Sequence, residues 1–260
     1  MDKKENRIQL SILMPALNEE ANIQEAIEST LKAFSDFGIR GEIVVINDGS
    51  TDATAEKVKE KMLQNSDITR LVNHICPLGM GASFWDGVDN ARGDFVCMLP
   101  GDNENDPWEI MRYFGLLEHV DIVIPFVYNK KTRALSRNII SFIYHLIINN
   151  TFLTSLNYTN GTVIYRKSLL KELNYRCSGF FYQSDILIRL LKKGYLFAEV
   201  PYRLNIRKTG KSKAFTLRSF RNVVTAYLRL LRDIYFKKEK RRKGLSPDSV
   251  TAKRYREFEA

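Results

Sequence analysis

The sequence predicts a doubly wound α/β layer around a mostly parallel sheet, and three observations point there. Short apolar, β-branched runs alternate with helix-period segments through the first half of the chain. Runs such as EIVVI are continuously apolar, as strands are when both faces are covered. The links between runs and helices are short, which favours parallel neighbours joined by helical crossovers.

Each element follows in order. Ile8 to Met14 (IQLSILM) reads as a buried strand stopping at Pro15. Asn18-Glu19-Glu20 opens a helical stretch with Ile23, Ala26, Ile27, Leu31 and Phe34 at helical spacing. Gly38 and Gly41 bracket a turn, and Glu42 to Ile46 forms the second strand. Asn47-Asp48-Gly49-Ser50 is a loop, and Thr51-Asp52 start a helix carrying Ala53, Ala55 and Val58. Ile68 to Val72 is a third strand, and the glycine-rich turn Pro77 to Gly81 leads into a helix over 82–90. Asp94 to Leu99 is a fourth strand ending in PGDNEND, followed by a helix from Trp108 to Glu118 and a strand from Asp121 to Pro125.

After Tyr128 the pattern weakens. A helix over 133–149, a strand over 162–165, a helix over 181–193 closing at Gly194 and a strand over 195–204 are predicted. Residues 214–236 place Leu217, Phe220, Val224, Tyr227, Leu228, Leu231 and Tyr235 apart from Arg218, Arg221, Arg229 and Arg232, which makes a basic amphipathic helix. The tail from 237 to 260 is polar, basic and predicted to be disordered. One domain therefore spans 1–236, with a ligand-binding first half over 8–128, a second half over 129–213 and the amphipathic helix.

The formal charge of +10 is concentrated. Residues 201–243 hold fifteen Lys and Arg against Asp233 and Glu239, so that segment is +13 and the remainder about −3. An anionic partner on one side is expected: phosphate-bearing ligands, acidic lipid or nucleic acid. Cys76, Cys97 and Cys177 show no metal spacing, which predicts reduced thiols and a cytosolic setting. The charged N-terminus MDKKENRIQL lacks the apolar core of a signal peptide. IISFIYHLII, at 139–148, is too short to span a bilayer and reads as a core or interfacial segment.

In open α/β sheets ligands bind beyond the carboxyl ends of strands. Four such ends carry polar or glycine-rich loops: 15–20, 47–52, 76–81 and 100–106. Asp48 fits a carboxylate that accepts hydrogen bonds from a nucleobase or ribose, and it equally fits a turn. Glu19 would meet a ribose hydroxyl or favour a helix N-terminus. Asp102 and Glu104, two apart on an irregular loop, suit a Mg²⁺ or Mn²⁺ ion shared with diphosphate oxygens, or a solvated turn. The IRKTGKSK stretch suits phosphate contact or an exposed basic loop. Asp185 would act as a general base or only charge a helix start. His74, His119 and His145 have no partner spacing and read as structural or surface residues.

The series SILMPALNEEANI, VVINDGSTDAT, LGMGASFWDGV and DFVCMLPGDNEND resembles family 2 glycosyltransferases of the GT-A fold. NGTVIYRKSLL and GFFYQSDILIRLLKKGYLFAEVPYRLNIRKTGKSK agree, so the likeness covers about 8–236. Within that family it is most similar to the dolichyl-phosphate mannose synthase and polyprenyl-phosphate glycosyltransferase branch. The resemblance implies that Pro15, Glu19, Asp48, Gly79 and Gly81 line a nucleotide pocket. It implies that Asp102, with Glu104, binds the metal, and that Arg207, Gly210, Ser212 and Lys213 lie near phosphates. Asp185 takes the acidic position after GFF, as an organiser if the acceptor is a phosphate. Three positions depart from the family pattern: Asn47 and Pro100 stand where it has Asp, and Asn157 stands where it is commonly acidic.

The activity so implied moves a sugar, with inversion, from a nucleotide-diphospho-sugar to a polyprenyl phosphate. The setting is an anionic membrane surface on the cytoplasmic side, reached peripherally or through a membrane partner protein. A glycan-hydroxyl acceptor is the alternative, with Asp185 as base. A non-catalytic membrane or nucleic-acid binder is the third reading, although the basic residues lack the interleaved aromatic platforms of single-strand binders.

Overall fold

The computed structural model describes residues 7–129, 135–204, 217–237 and 244–259. The first half contains β1 (Leu10–Ala16), α1 (Ile23–Asp36), β2 (Gly41–Asn47), α2 (Thr54–Gln64), β3 (Thr69–Asn73), α3 (Met80–Asn90) and β4 (Phe95–Met98). Then come α4 (Pro107–Met111), a 3₁₀ turn over Phe114–Glu118, β5 (Ile122–Val127), α5 (Leu135–Phe152), β6 (Ile164–Arg166) and α6 (Lys167–Lys171). The chain continues through α7 (Tyr182–Lys192), β7 (Phe197–Tyr202), α8 (Leu217–Tyr235) and α9 (Val250–Glu259).

The strands form one sheet in the order β3-β2-β1-β4-β6-β5-β7. Only β6 runs against the others, pairing antiparallel with β4 and β5. The predicted α/β class therefore holds, and the carboxyl ends of β1, β2, β3 and β4 open on one edge.

Alternation along β2 shows why the strands read as continuous apolar runs. Ile43 and Val45 pack on one side with Ile27, Val58 and Ile110. Val44 and Ile46 pack on the other with Phe84, Val88, Ile186 and Leu187. Both faces are dry because helices cover both.

Some boundaries move. β1 runs through Pro15 to Ala16, because its pairing with β4 ends at Leu13 and the missing Pro15 amide breaks no ladder there. The predicted helix over 108–118 splits into α4 and a 3₁₀ turn; Pro107 sits at its first position and the Asp106 carboxylate accepts from Trp108 N at 2.9 Å.

The tail requires a correction. Residues 244–259 are ordered, and α9 docks on the body. Asp121, fully buried, accepts from the backbone amides of Val250 (2.7 Å) and Thr251 (3.0 Å) and from the Thr251 hydroxyl. Thr251 Oγ1 accepts from Leu196 N at 2.9 Å, and Tyr195 Oη accepts from Ser246 N at 2.8 Å. Composition reports only that the segment is polar; its partners lie far away in the chain.

Candidate active site

Two backbone hydrogen bonds at the end of β1 bring the acidic loops together. Ala16 O accepts from Asp48 N at 2.9 Å, and Pro15 O accepts from Gly101 N at 3.0 Å. The loop after β2 and the loop after β4 thus flank one strand end. β2 and β4 are the two neighbours of β1, about 10 Å apart across it. Asp48 and Asp102 stand on either side.

The β1–α1 and β2–α2 loops are laced to each other. Asn18, at φ 55°, accepts from Thr51 N at 2.8 Å, and Ser50 Oγ accepts from Asn18 N at 2.9 Å. Thr54 Oγ1 accepts from Glu19 N at 2.9 Å, while the Glu19 carboxylate accepts from Asn22 Nδ2 at 2.9 Å. Glu19 therefore sits half-buried beside Asp48's loop.

Asp48 is 6% exposed. Its Oδ1 accepts from Leu78 N at 2.8 Å and faces His74 Nδ1 at 2.7 Å; its Oδ2 accepts from Gly79 N at 3.0 Å. One carboxylate therefore organises the β3–α3 loop. Gly79, at φ 96°, takes a conformation that favours glycine. Gly81 serves packing: a Cβ there would meet Cys177 O at 2.5 Å and Gly179 O at 2.7 Å. Both glycines let α3 start against the 177–179 backbone, and Ala82 N donates to Ser178 O at 3.1 Å. A hollow of about 340 Å³ opens beside this wall, between Leu78–Met80 and the Asn222–Arg229 side of α8.

The departures from the family pattern have local explanations. Asn47 Nδ2 donates to Asn73 Oδ1 at 2.9 Å and its Oδ1 accepts from Ser50 N at 3.2 Å, so an amide supplies a donor that a carboxylate lacks. Asn157 gives its backbone N and Nδ2 to Glu199 at 2.7 and 2.9 Å; an acid there would face another carboxylate. Pro100 leaves the second strand-end loop with Asp102 and Glu104.

Asp102 and Glu104 are half-buried on that loop, which turns at Asn103 (φ 56°), and Asp102 Oδ1 accepts from Glu104 N at 3.1 Å. Among the described residues no group of three His, Cys, Asp or Glu is placed to hold a metal. Two carboxylates on an open loop fit a hard cation that takes its remaining ligands from a diphosphate and water, as Mg²⁺ commonly does. The next residue, Asn105, bridges to Leu204 and receives the Tyr202 hydroxyl at 3.3 Å, so the acid loop touches the end of β7. Arg207, Gly210, Ser212 and Lys213, the predicted phosphate-binding residues, lie outside the described residues.

Asp185 is fully buried in the first turn of α7. Its Oδ2 accepts from Arg189 Nε at 2.9 Å, and Arg189 Nη2 donates to Asp233 of α8 at 2.9 Å. Burial pushes the Asp185 carboxyl up from its ordinary value, with Arg189 opposing. Its Oδ1 has no hydrogen-bond partner among the described residues. This is the setting of a helix-packing carboxylate.

His74 was not singled out by its spacing in the sequence. It is nearly buried between Asp48 and Asp86, with Nε2 at 2.9 Å from Asp86 Oδ2. The signal was its place directly after β3, at the same sheet edge as the acidic loops.

The model of the family named glycosyl transferase family 2 matches residues 11–174. The chain belongs to this family. Among curated members of the family, a dodecaprenyl-phosphate galacturonate synthase from Rhizobium johnstonii is 26% identical over 91% of this chain and 70% of that protein. An undecaprenyl-phosphate 4-deoxy-4-formamido-L-arabinose transferase from Salmonella paratyphi B is 31% identical over 55% of this chain, but over 43% of its own length. This family 2 chain thus spans less than half of the second relative. Glucosyl-3-phosphoglycerate synthase from Mycobacterium tuberculosis, solved with Mn²⁺ and UDP-glucose, superposes with a TM-score of 0.64 at 21% identity, covering 89% of this chain and 80% of that one. That likeness establishes the GT-A fold.

Proposed function

We propose that this family 2 member transfers a sugar from a nucleotide-diphospho-sugar, with inversion, to a polyprenyl phosphate. The observation that carries the reading is the shared end of β1, where Asp48 and the Asp102 loop meet. Pro15, Glu19, Asp48 and Gly79 form the nucleotide side. Asp102 and Glu104 would hold Mg²⁺ or Mn²⁺, which when bound neutralises the departing diphosphate. Arg207, Ser212 and Lys213 are assigned to donor or acceptor phosphate by the family resemblance. A lipid phosphate is already an oxyanion, so no base is needed. Asp185, enclosed by Arg189, fits an organiser of α7 against α8.

Membrane contact follows from two helices. α5 exposes Ile139, Ile140, Phe142, Ile143, Leu146 and Ile147, and α8 exposes Phe220, Val224 and Leu228. Thr151 joins them through the hydroxyls of Tyr227 (2.8 Å) and Tyr235 (2.5 Å). No helix among the described residues is long and apolar enough to cross a membrane. Such an apolar patch, in a chain whose 201–243 segment carries +13 in sequence, suits the surface of an anionic leaflet.

The test is product chemistry. Incubation with nucleotide sugars, Mn²⁺ and polyprenyl phosphate is expected to yield an acid-labile lipid phosphosugar. A stable glycosidic product on a glycan hydroxyl would replace this reading with the alternative acceptor.

A further inference from the structure

The hollow beside Gly79 has a definite chemistry. Among the described residues that line it, Arg229 of α8 is the one cation and no side chain is acidic. The Arg229 guanidinium lies over the Tyr175 ring, 4.6 Å from its centroid, and that of Arg189 lies 5.6 Å from the same ring. Arg189 is taken by Asp185 and Asp233, each at 2.9 Å. Asp233 also takes Arg232 at 3.4 Å and Lys237 at 3.1 Å. Arg229 forms no ion pair among the described residues and reaches Asp185 only through its field. Four cations (Arg189, Arg229, Arg232 and Lys237) thus stand against two carboxylates, a surplus of two positive charges along this side of α8. Asn222, also on α8, adds an amide to the lining, and Leu78 and Phe180, both exposed, add apolar surface.

We propose that this hollow seats the phosphate of the lipid acceptor: Arg229 holds the oxyanion, Asn222 donates an amide N–H, and Leu78 and Phe180 receive the first apolar units of the chain. The inference rests on the polyprenyl-phosphate reading and names the subsite on α8 and the 175–180 segment that would meet the acceptor. A planar guanidinium matches phosphate with two parallel N–H donors, and stacking on Tyr175 leaves its edge free to donate. A phosphomonoester fits better than a nucleoside diphosphate, because no carboxylate lines the hollow to share a metal ion. Cationic and apolar walls in one hollow of about 340 Å³ suit a ligand that is charged at one end and apolar along its length. The hollow shares Gly79 with the nucleotide wall, where the Gly79 amide donates to Asp48 at 3.0 Å, so a phosphate here would lie next to the donor.

The experiment measures binding of farnesyl phosphate, farnesol and inorganic phosphate by calorimetry in neutral detergent, with UDP and Mn²⁺ as the control for the nucleotide wall. Wild-type protein is expected to prefer farnesyl phosphate to either of its parts. Arg229→Gln is expected to weaken farnesyl phosphate about ten- to a hundredfold, the loss of a charge-assisted contact, with UDP affinity unchanged. Arg229 is exposed, so its thermal unfolding midpoint should stay in place. Arg229→Lys keeps the charge and is expected to bind with intermediate affinity; a lysine variant no better than Arg229→Gln would show that packing was lost, and would overturn the subsite. Phe180→Ser is expected to weaken farnesyl phosphate while leaving inorganic phosphate unchanged. Equal farnesyl phosphate binding by wild type and Arg229→Gln would overturn the subsite and leave the acceptor reading standing. A wild type that binds farnesyl phosphate no better than farnesol would overturn the acceptor reading, and the subsite with it. A matching loss of UDP affinity would assign Arg229 to the nucleotide and overturn the inference. Unchanged farnesyl phosphate binding, with flotation on phosphatidylglycerol vesicles lost in Arg229→Gln, would assign it to bulk lipid headgroups and overturn it as well.

Discussion

Asp121 accepts the backbone amide of Val250 at 2.7 Å, joining the start of β5 to the first turn of α9 across 129 positions. The same carboxylate takes the Thr251 amide at 3.0 Å and Arg166 Nε at 3.1 Å. It is a buried charge fully supplied with donors, and such charges are costly to disturb by halves.

Asp121→Ala should therefore destabilise the protein by about 3 kcal/mol and release the C-terminal helix. Urea denaturation reads the first effect, and limited proteolysis after residue 244 reads the second. Unchanged protection of 244–259 would refute the clasp.

Glu42 offers a prediction in pH. Its carboxylate is fully buried and accepts from Arg92 N at 2.5 Å, Ser11 Oγ at 2.7 Å and Arg92 Nε at 2.7 Å. Burial alone would raise the carboxyl, but these bonds outweigh it and hold it below the ordinary value. A depressed folded-state value means that stability is present above the unfolded value of about 4.3 and is lost as pH falls through the folded one. Glu42→Gln is expected to cost about 3 kcal/mol at neutral pH and to flatten the acid-side decline, measured by urea midpoints at pH 7 and below 4.

Gly81→Ala inserts a Cβ against three backbone atoms of residues 177–179, the nearest at 2.5 Å. Backbone yields less readily than a side-chain tip, so a loss of roughly 1–3 kcal/mol is expected. Because the same shift displaces the wall at Gly79, nucleotide affinity should fall with stability, checked by thermal unfolding with and without UDP.

Asp102→Asn and Glu104→Gln should each lower metal-dependent turnover by at least about tenfold, the removal of one charged ligand. Raising Mn²⁺ should partly restore each single variant. Full turnover in both variants would show that the loop is only a turn.

Phe142→Glu on α5 should weaken flotation with anionic vesicles and leave nucleotide binding intact. Phe142 is 68% exposed, so the change disturbs no core. Equal flotation at low salt would argue against α5 as the contacting face.

How much was legible divides along particular residues. EIVVI and the apolar run before Met98 announced buried strands, because a strand covered on both faces must be apolar at every position. The meeting of the loops that carry Asp48 and Asp102 was readable because strand ends in such sheets are where loops gather. His74 offered only its place after β3, since a lone histidine at a strand end has no periodicity to betray it. The order in 244–259 was hidden as well, because a helix capped by Asp121 needs little apolar sequence of its own.

The sequence alone determined the α/β alternation, the polar loops at the strand ends and the basic segment after Pro201. These depend on spacing and composition between near neighbours. Tertiary structure decided that Asp48 is held by His74 and Gly79, that Asp185 turns toward Arg189, and that α9 folds onto Asp121. Those choices are hydrogen bonds between groups brought together only by sheet order and helix packing, and local pattern carries no information about a partner that the fold must first deliver.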